Sequence, residues 1–220
     1  MPSTPLLTLM KTFAERGSLD FSFDQDPEEF DTSDDNTPRV CPLFPLSDLI
    51  LFPGQVIPLH VFEPRYRQMT QDLLDNSGEI ILGTVLGEDR EKLEKVAPVQ
   101  PIAGLGRVQR YQALEDGRFL IMVLGERRVK IEPVDRGKIY PEARFEVFEE
   151  TDSYISDTEL DHLQSALKKI ESQIDLPEET SPDQLVDLLI MISKIDPKDK
   201  YKIFQMTSVS DRLGKILDFH

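Results

Sequence analysis

Three histidines and one cysteine are the side chains of this chain with the most scope for chemistry, and their spacing assembles no site. His60, His162 and His220 share no metal-ligand spacing with one another or with Cys41, whereas zinc ligands come in closely spaced pairs. His60 lies in an apolar segment and is predicted to be a hydrogen-bonded packing residue, not a base. Cys41 has no neighbouring histidine to activate its thiol, so we expect it to pack as a small hydrophobic side chain. The pattern predicts no metal site.

Motifs that bind nucleotides or expose a nucleophile are also missing from the sequence. No G-x-x-x-x-G-K-[ST] loop is present to hold nucleotide phosphates, and no G-x-S-x-G turn is present to expose a serine. Gly104 and Gly106 lack the third glycine of a dinucleotide-binding fingerprint and do not open a predicted helix. We therefore predict that the chain is not an enzyme and uses no cofactor.

The overall charge disfavours a nucleic acid or an anionic membrane as the partner. Lysine and arginine total 25 against 41 aspartate and glutamate residues, which gives a formal net charge of −16 at pH 7. Such a chain repels phosphate and anionic lipid. We expect the one basic cluster to pair with acidic neighbours, with RNA contact as the alternative. The cluster contains Arg107, Arg110, Arg127, Arg128 and Lys130.

Segments that would direct the chain out of the cytoplasm are not recognisable. No stretch of the sequence approaches the ~20 apolar residues that a membrane-spanning helix needs. The N-terminus lacks the basic region and long apolar core of a secretory signal. A single cysteine cannot form an internal disulfide, which fits a reducing compartment. These features predict a cytoplasmic protein.

The feature best suited to binding a partner is an apolar turn at residues 47–54. Pro53-Gly54 is a turn signal, and the surrounding prolines should confine the segment to short extended pieces outside a regular central sheet. The apolar residues before the turn cannot all point inward, so some are expected to be exposed or only partly covered, as in protein-binding surfaces. The alternative is that helices later in the chain cover them. The binding residues predicted here are Leu49, Ile50, Phe52 and Pro53.

Three separated motifs resemble one protein family. The first, LFPLSDLILFPGQVIPLHVFEPRYRQM at residues 43–69, resembles the opening of the N-terminal substrate-binding domain of Lon protease. Its FE-x-R-Y element at Phe62–Tyr66 is similar to that of small free-standing bacterial members and of the Lon-like lobe of cereblon. The family's central hairpin and closing helices resemble GRFLIMVLGERRVKI at residues 117–131 and KYKIFQMTSVSDRLGKILDF at residues 200–219. The likeness covers about residues 40 to 219 in the expected order.

This resemblance implies a free-standing module that recognises polypeptides and does not cut them, because the ATPase and serine–lysine protease parts of Lon have no counterpart in these 220 residues. The expected partners are unfolded proteins, or a separate protease or ligase scaffold for which the chain is an adaptor. The resemblance adds Phe62, Glu63, Arg65 and Tyr66 to the predicted binding residues, although Glu63 and Arg65 could simply be an ion pair at a helix start. The implied fold is a PUA-like barrel, a type that binds RNA in other families.

Hydrophobic patterning predicts an α+β chain, in which a small curled β-barrel lobe is followed by a helical lobe, and the resemblance implies that this barrel is PUA-like. Residues 1–37 are acidic and poor in apolar side chains, which predicts a flexible tail. Residues 38–150 contain apolar strand segments, glycines that allow bends, and one helix opened by Pro64. The last strand of this lobe alternates Ala143, Phe145 and Val147 with Glu142, Arg144 and Glu146.

Residues 151–220 are predicted to form a compact helical lobe whose apolar faces pack against one another and against the sheet. Capping residues mark the helix starts, since their side chains satisfy the first free backbone amides. These residues are Ser156 with Glu159, Ser181 with Gln184, Asp196 before Pro197, and Ser208 before Asp211.

Overall fold

A computed structural model describes residues 39–87, 98–151, 155–170 and 180–220. In these residues, six strands and one helix precede the remaining four helices. The strands are β1 (Arg39–Ser47), β2 (Val56–Val61), β3 (Glu79–Val85), β4 (Ile102–Ala113), β5 (Phe119–Val134) and β6 (Glu142–Val147). The helices are α1 (Pro64–Leu74), α2 (Asp157–Ile170), α3 (Pro182–Ile192), α4 (Pro197–Phe204) and α5 (Val209–Leu217). The predicted acidic tail at residues 1–37 lies outside the described residues.

The strands form one mixed sheet in the order β2-β5-β4-β3-β1-β6, and a further pairing joins β6 back to β5. The pairings therefore close into a ring through β5, β4, β3, β1 and β6, with β2 attached outside the ring. Strand β5 is long enough to serve both neighbours, since residues 119–124 pair with β2 and residues 129–134 pair with β6. Register shifts between β4 and β5 add local bends. The predicted α+β class, with strands before the helical part, is confirmed.

Strand β1 contains Pro42 and Pro45 yet lies between β3 and β6, which corrects the prediction that this segment stays outside the central sheet. Residues 39–42 pair antiparallel with β6, and residues 43–47 pair parallel with β3. Proline lacks the N–H that a strand ladder needs, but the two halves of β1 pair with different neighbours. Neither proline therefore interrupts a stretch that is paired along both edges.

Helix starts are satisfied by the side chains that the sequence predicted. At α2 the amide of Ser156 donates to Glu159 Oε2 at 2.8 Å, and the amide of Glu159 donates back to Ser156 Oγ at 3.3 Å. Pro64 is the first residue of α1, as expected. At the remaining helix starts a side-chain oxygen accepts from a backbone amide. These pairs are Gln184 Oε1 with the Ser181 amide, Asp196 Oδ1 with the Lys198 amide, and Ser208 Oγ with the Asp211 amide. All four predicted helix starts in the last third are confirmed.

The connection between β1 and β2 crosses the sheet in direct contact with glycines. A Cβ atom on Gly104 would lie 2.3 Å from the carbonyl oxygen of Leu51, and one on Gly125 would lie 2.1 Å from that of Phe52. Side-chain carbons do not approach backbone oxygens so closely, so the two backbones can meet only where no Cβ is present. These glycines were expected to allow bends in the strands, and they also allow this close backbone contact.

Consecutive residues of the same connection enter different hydrophobic cores. Leu51 packs into a core that α1 shares with β2, β3 and β5, whereas Ile50 and Phe52 pack into a core built mainly by helices α2–α5. The Phe52 ring meets the Phe204 ring edge-on, with 5.0 Å between centroids. A third core fills the ring of strands and contains Cys41, which packs as a small hydrophobic side chain as predicted. The connection thus ties the sheet to the helices.

A buried ionic network makes a second link between the sheet and the helices. Arg128, on β5, is 2% exposed and donates to Asp187 Oδ1 at 2.6 Å, to Glu150 Oε1 at 2.8 Å and to the carbonyl oxygen of Phe204 at 3.0 Å. Arg212, on α5, donates to Glu150 Oε2 at 2.6 Å. Burial acts to lower the pKa of Arg128, but the two carboxylates outweigh it and raise that pKa above its ordinary value. The guanidinium therefore stays charged inside the protein.

Gly125→Ala should lower the free energy of unfolding by about 3 kcal/mol, because the added methyl group collides with the carbonyl of Phe52. Gly214→Ala is the matched control, since a Cβ at this position in α5 meets nothing within 4 Å. Alanine there should raise the free energy of unfolding by about 0.5–1 kcal/mol. Urea unfolding of both variants measures the two effects. A neutral Gly125→Ala would contradict the backbone contact.

Arg128→Met should destabilise the fold by about 3–5 kcal/mol, because it leaves the Asp187 carboxylate buried without its closest partner. Asp187→Leu in the same chain should recover part of the loss, since the uncompensated charge is then removed. Urea unfolding of the two single variants and the double variant forms a double-mutant cycle. Strictly additive losses would show that the two residues do not act as a pair.

Candidate functional site

In the apolar turn at residues 47–54, two of the four predicted binding residues are buried and two are half-buried. Ile50 is 6% exposed and Phe52 is 1% exposed, and both lie in the helical core. Leu49 and Pro53 are half-buried, and Leu49 packs against the α1 core. The turn lies between two cores, so successive apolar side chains can enter one or the other. The alternative interpretation, in which later helices cover the turn, holds for Ile50 and Phe52.

The FE-x-R-Y element after β2 is only partly buried. Phe62 is 60% exposed, and its ring centroid lies 5.9 Å from that of His60. Arg65 Nε donates to Glu63 Oε2 at 3.1 Å, and the Arg65 guanidinium lies 4.6 Å from the centroid of the Tyr66 ring. Burial raises the pKa of Tyr66 despite the neighbouring arginine. Tyr66 therefore anchors α1 in the core, while Phe62 and the ion pair face the surface.

An apolar surface that the sequence analysis missed lies on the outer side of β5. Residues 119, 121 and 123 enter the α1 core, whereas Leu120, Met122 and Leu124 are half-buried on the opposite side. Across the pairing with β2, Val56 lies beside Leu124 and Pro58 lies beside Met122. Together with Phe62 at the strand end, these residues form a surface that we call the open-face patch. Its members are Val56, Pro58, Phe62, Leu120, Met122 and Leu124.

Polar side chains border the open-face patch. His60 pairs with Leu120 on one side, and Gln112 of β4 pairs with Leu120 on the other. His60 is exposed, which corrects its prediction as a packing residue. The only sign of this patch in the sequence was the run FLIMVL at residues 119–124, but a continuous apolar run is typical of a strand buried on both faces. Only the fold shows that one face is uncovered.

Two arginines of the predicted basic cluster, Arg107 and Arg128, are paired with carboxylates. Arg128 is enclosed in the ionic network, and Arg107 Nε donates to Glu126 Oε1 at 2.9 Å. Arg107 Nη2 also lies 3.5 Å from Glu79 Oε1. Pairing with acidic neighbours is therefore confirmed for these two arginines.

A polar cleft of about 500 Å³ lies between the start of β1, the end of α1 and the start of β6. On one wall Asp72 Oδ2 accepts from Lys138 Nζ at 2.7 Å and from the Tyr140 hydroxyl at 2.6 Å. These hydrogen bonds lower the pKa of Asp72 to about 2. Burial, assisted by the hydrogen bond to Asp72, raises the pKa of Tyr140 to about 12. Among the described residues, no group of His, Cys, Asp and Glu side chains is arranged to hold a metal ion.

The sequence model of one protein family matches residues 40–219 of the chain. That family is described as the ATP-dependent protease La (LON) substrate-binding domain. The chain belongs to the Lon substrate-binding domain family. The resemblance predicted from three separated motifs is thereby confirmed.

Curated relatives of this Lon substrate-binding domain are whole Lon proteases. The Lon protease of Cytophaga hutchinsonii is 23% identical over 196 residues, which cover 87% of this chain and 24% of that protein. The Lon protease of Roseiflexus castenholzii is 26% identical over 197 residues, covering 83% of this chain and 24% of that protein. The chain thus spans about a quarter of the length of these relatives.

Two solved structures share the fold. A Lon N-terminal domain protein from Xanthomonas campestris aligns with a TM-score of 0.65 and 18% identity, covering 82% of this chain and 98% of that one. The N-terminal domain of the Mycobacterium avium complex Lon protease aligns with a TM-score of 0.62 and 18% identity, covering 82% and 97%. Within the described part of the chain, every helix is too short or too polar to cross a membrane.

Asp72→Asn should lower stability near neutral pH by an amount that shrinks as the pH falls from about 4 to about 2. The folded-state pKa of Asp72 lies below its ordinary value of 3.8, so its carboxylate stabilises the fold above that value and loses this effect once protonated. Urea unfolding of both chains between pH 7 and pH 2 gives the difference. A difference that does not change with pH would contradict the role of the carboxylate charge.

Proposed function

We propose that this Lon substrate-binding domain binds unfolded polypeptide segments through the open-face patch and does no chemistry on them. The observation that carries the proposal is the only partly covered apolar side of β5, in a chain whose family is described as the substrate-binding domain of Lon. Exposed apolar patches are used for protein contacts. An unfolded segment offers apolar side chains without partners, so both surfaces lose contact with water on binding.

Side-chain contact supports this binding better than backbone pairing does. Strand β2 stands at the end of the sheet order, where an extended peptide could add as a further strand. Pro58 lies in the middle of β2 and has no N–H to donate, so its position weakens any added ladder. Met122, opposite Pro58, is unbranched and adapts to partners of different shape. The surface is therefore suited to varied apolar sequences.

The residues predicted from the sequence take different parts in this proposal. Phe62 contacts the polypeptide directly at one end of the patch, and the Glu63–Arg65 ion pair fixes the backbone beside it. Ile50 and Phe52 act only by holding the fold, since both are buried. The 220 residues contain no nucleotide loop or nucleophile turn, which supports binding without catalysis. A separate protease or ligase scaffold, the other expected partner, would bind the same patch. The free, buried thiol of Cys41 supports a cytoplasmic location.

Leu120→Ser combined with Met122→Ser should weaken the binding of an unfolded protein about fivefold or more, because these side chains lie at the centre of the patch. Fluorescence anisotropy with labelled, reduced and carboxymethylated lactalbumin measures the dissociation constant. Phe62→Ala should weaken binding by a smaller factor, since Phe62 lies at the edge.

Val147→Ser is the matched control, because Val147 is an exposed strand valine on β6, outside the patch. It should leave the dissociation constant unchanged, and thermal unfolding should show that each variant is folded. Equal losses in the control and the patch variants would overturn the proposal. So would failure of the unaltered chain to bind the unfolded protein.

A further inference from the structure

Glu142 occupies an environment that its sequence pattern did not predict. Alternation along β6 predicts an exposed Glu142 and a buried Val147, but Glu142 is 7% exposed and Val147 is 52% exposed. The reason is topological, since Glu142 pairs with Pro42 of β1 on one side and with Val134 of β5 on the other. It lies where the ring of strands closes, with a neighbour on each edge.

The carboxylate of Glu142 is incompletely paired. Its Oε1 lies 3.7 Å from Nη1 of Arg136, whose side chain is largely exposed, and its Oε2 has no hydrogen-bond partner among the described residues. A contact of that length to an exposed arginine contributes little. A buried carboxylate oxygen without a donor carries a desolvation cost that remains uncompensated. A cationic donor brought next to Glu142 would offset that cost.

Glu142 also lines the polar cleft, and the charges of the cleft are unbalanced. Its lining contains the carboxylates of Asp72, Asp75, Glu79 and Glu142, but only Arg39 and Lys138 as cations. Arg39 pairs with Glu79, which Arg107 also contacts from outside the lining, and Lys138 pairs with Asp72. Two carboxylates, Asp75 and Glu142, are left without a cation from the lining itself, and Arg136 outside the lining lies 3.7 Å from Glu142. The cleft therefore favours a positively charged ligand.

The volume and apolar lining of the cleft narrow the class of cation. About 500 Å³ is in the range of small-molecule sites and far exceeds a bare ion. Val40, Pro42 and Leu73 line the same cleft and offer apolar contact beside the carboxylates. A ligand with a methylene stem and a charged head matches both surfaces, because alkyl stems of this kind pack along apolar side chains.

We propose that this cleft binds an alkylguanidinium or alkylammonium group, with Glu142 as its counter-ion. The group has two sources, a free small amine or the side chain of an arginine or lysine in a bound polypeptide. The cleft and the open-face patch have no residue in common, so the proposal does not depend on the proposed function.

Calorimetric titration of the full chain with agmatine, whose alkyl stem carries a guanidinium at one end and an ammonium at the other, tests the proposal directly, and we expect saturable binding. Glu142→Gln should weaken it about tenfold, because a charge-assisted hydrogen bond is lost while the side-chain shape is kept. Arg136→Gln should strengthen it, since a competing guanidinium is removed from Glu142. Glu146→Gln, an exposed position on the same strand, is the matched control and should have no effect.

A second titration with a terminally blocked Gly-Arg-Gly peptide distinguishes the two sources. Binding of both ligands supports the proposal with a polypeptide side chain as the source, and binding of agmatine alone supports it with a small amine. Absence of saturable agmatine binding, or equal affinity in the Glu142→Gln variant, would overturn it. If Glu142→Gln does not fold, Arg136→Gln decides alone, and an unchanged affinity in that variant overturns the proposal.

Discussion

The contact between the Leu51–Phe52 backbone and the glycines of β4 and β5 is the constraint on which the rest of the structure depends. It allows the chain to cross the sheet at a distance that no side chain would permit. At that distance Leu51 enters the α1 core and Phe52 enters the helical core. Two residues of an irregular connection thereby link elements that are far apart in the sequence.

The ionic network completes the same junction with polar groups. Arg128 lies 4.7 Å from the centroid of the Phe204 ring and 5.8 Å from that of Phe52, so the charge is enclosed by the aromatic side chains that close the helical core. Its hydrogen bonds fix the position of α3 through Asp187 and of the segment after β6 through Glu150. Because a buried charge is costly unless it is fully paired, this arrangement favours a single relative placement of sheet and helices.

The core and the proposed binding surface lie on opposite faces of the same strand. The inner face of β5 supplies Phe119, Ile121 and Val123 to the α1 core, and its outer face leaves Leu120, Met122 and Leu124 half-exposed. The first half of β5 pairs with β2, which lies outside the closed ring, and among the described residues its outer side chains belong to none of the three hydrophobic cores. An apolar surface can therefore remain open without weakening the cores. The polar cleft lies elsewhere, where β1 meets β6 and the end of α1.

The sequence by itself determined the features that depend on local chemistry. Ser156 with Glu159 and Ser208 with Asp211 mark helix starts because a cap involves residues three positions apart, and Pro64 opens α1 for an equally local reason. The family could be identified for a related reason, since its motifs are continuous stretches of chain.

Tertiary structure alone decided which side chains are exposed. Ile50 and Phe52 are covered by helices more than a hundred residues later in the chain, Glu142 is enclosed by strands on both edges, and Met122 is left half-buried on the outer face of β5. Burial depends on which distant segment arrives at a surface, and local patterning does not contain that information.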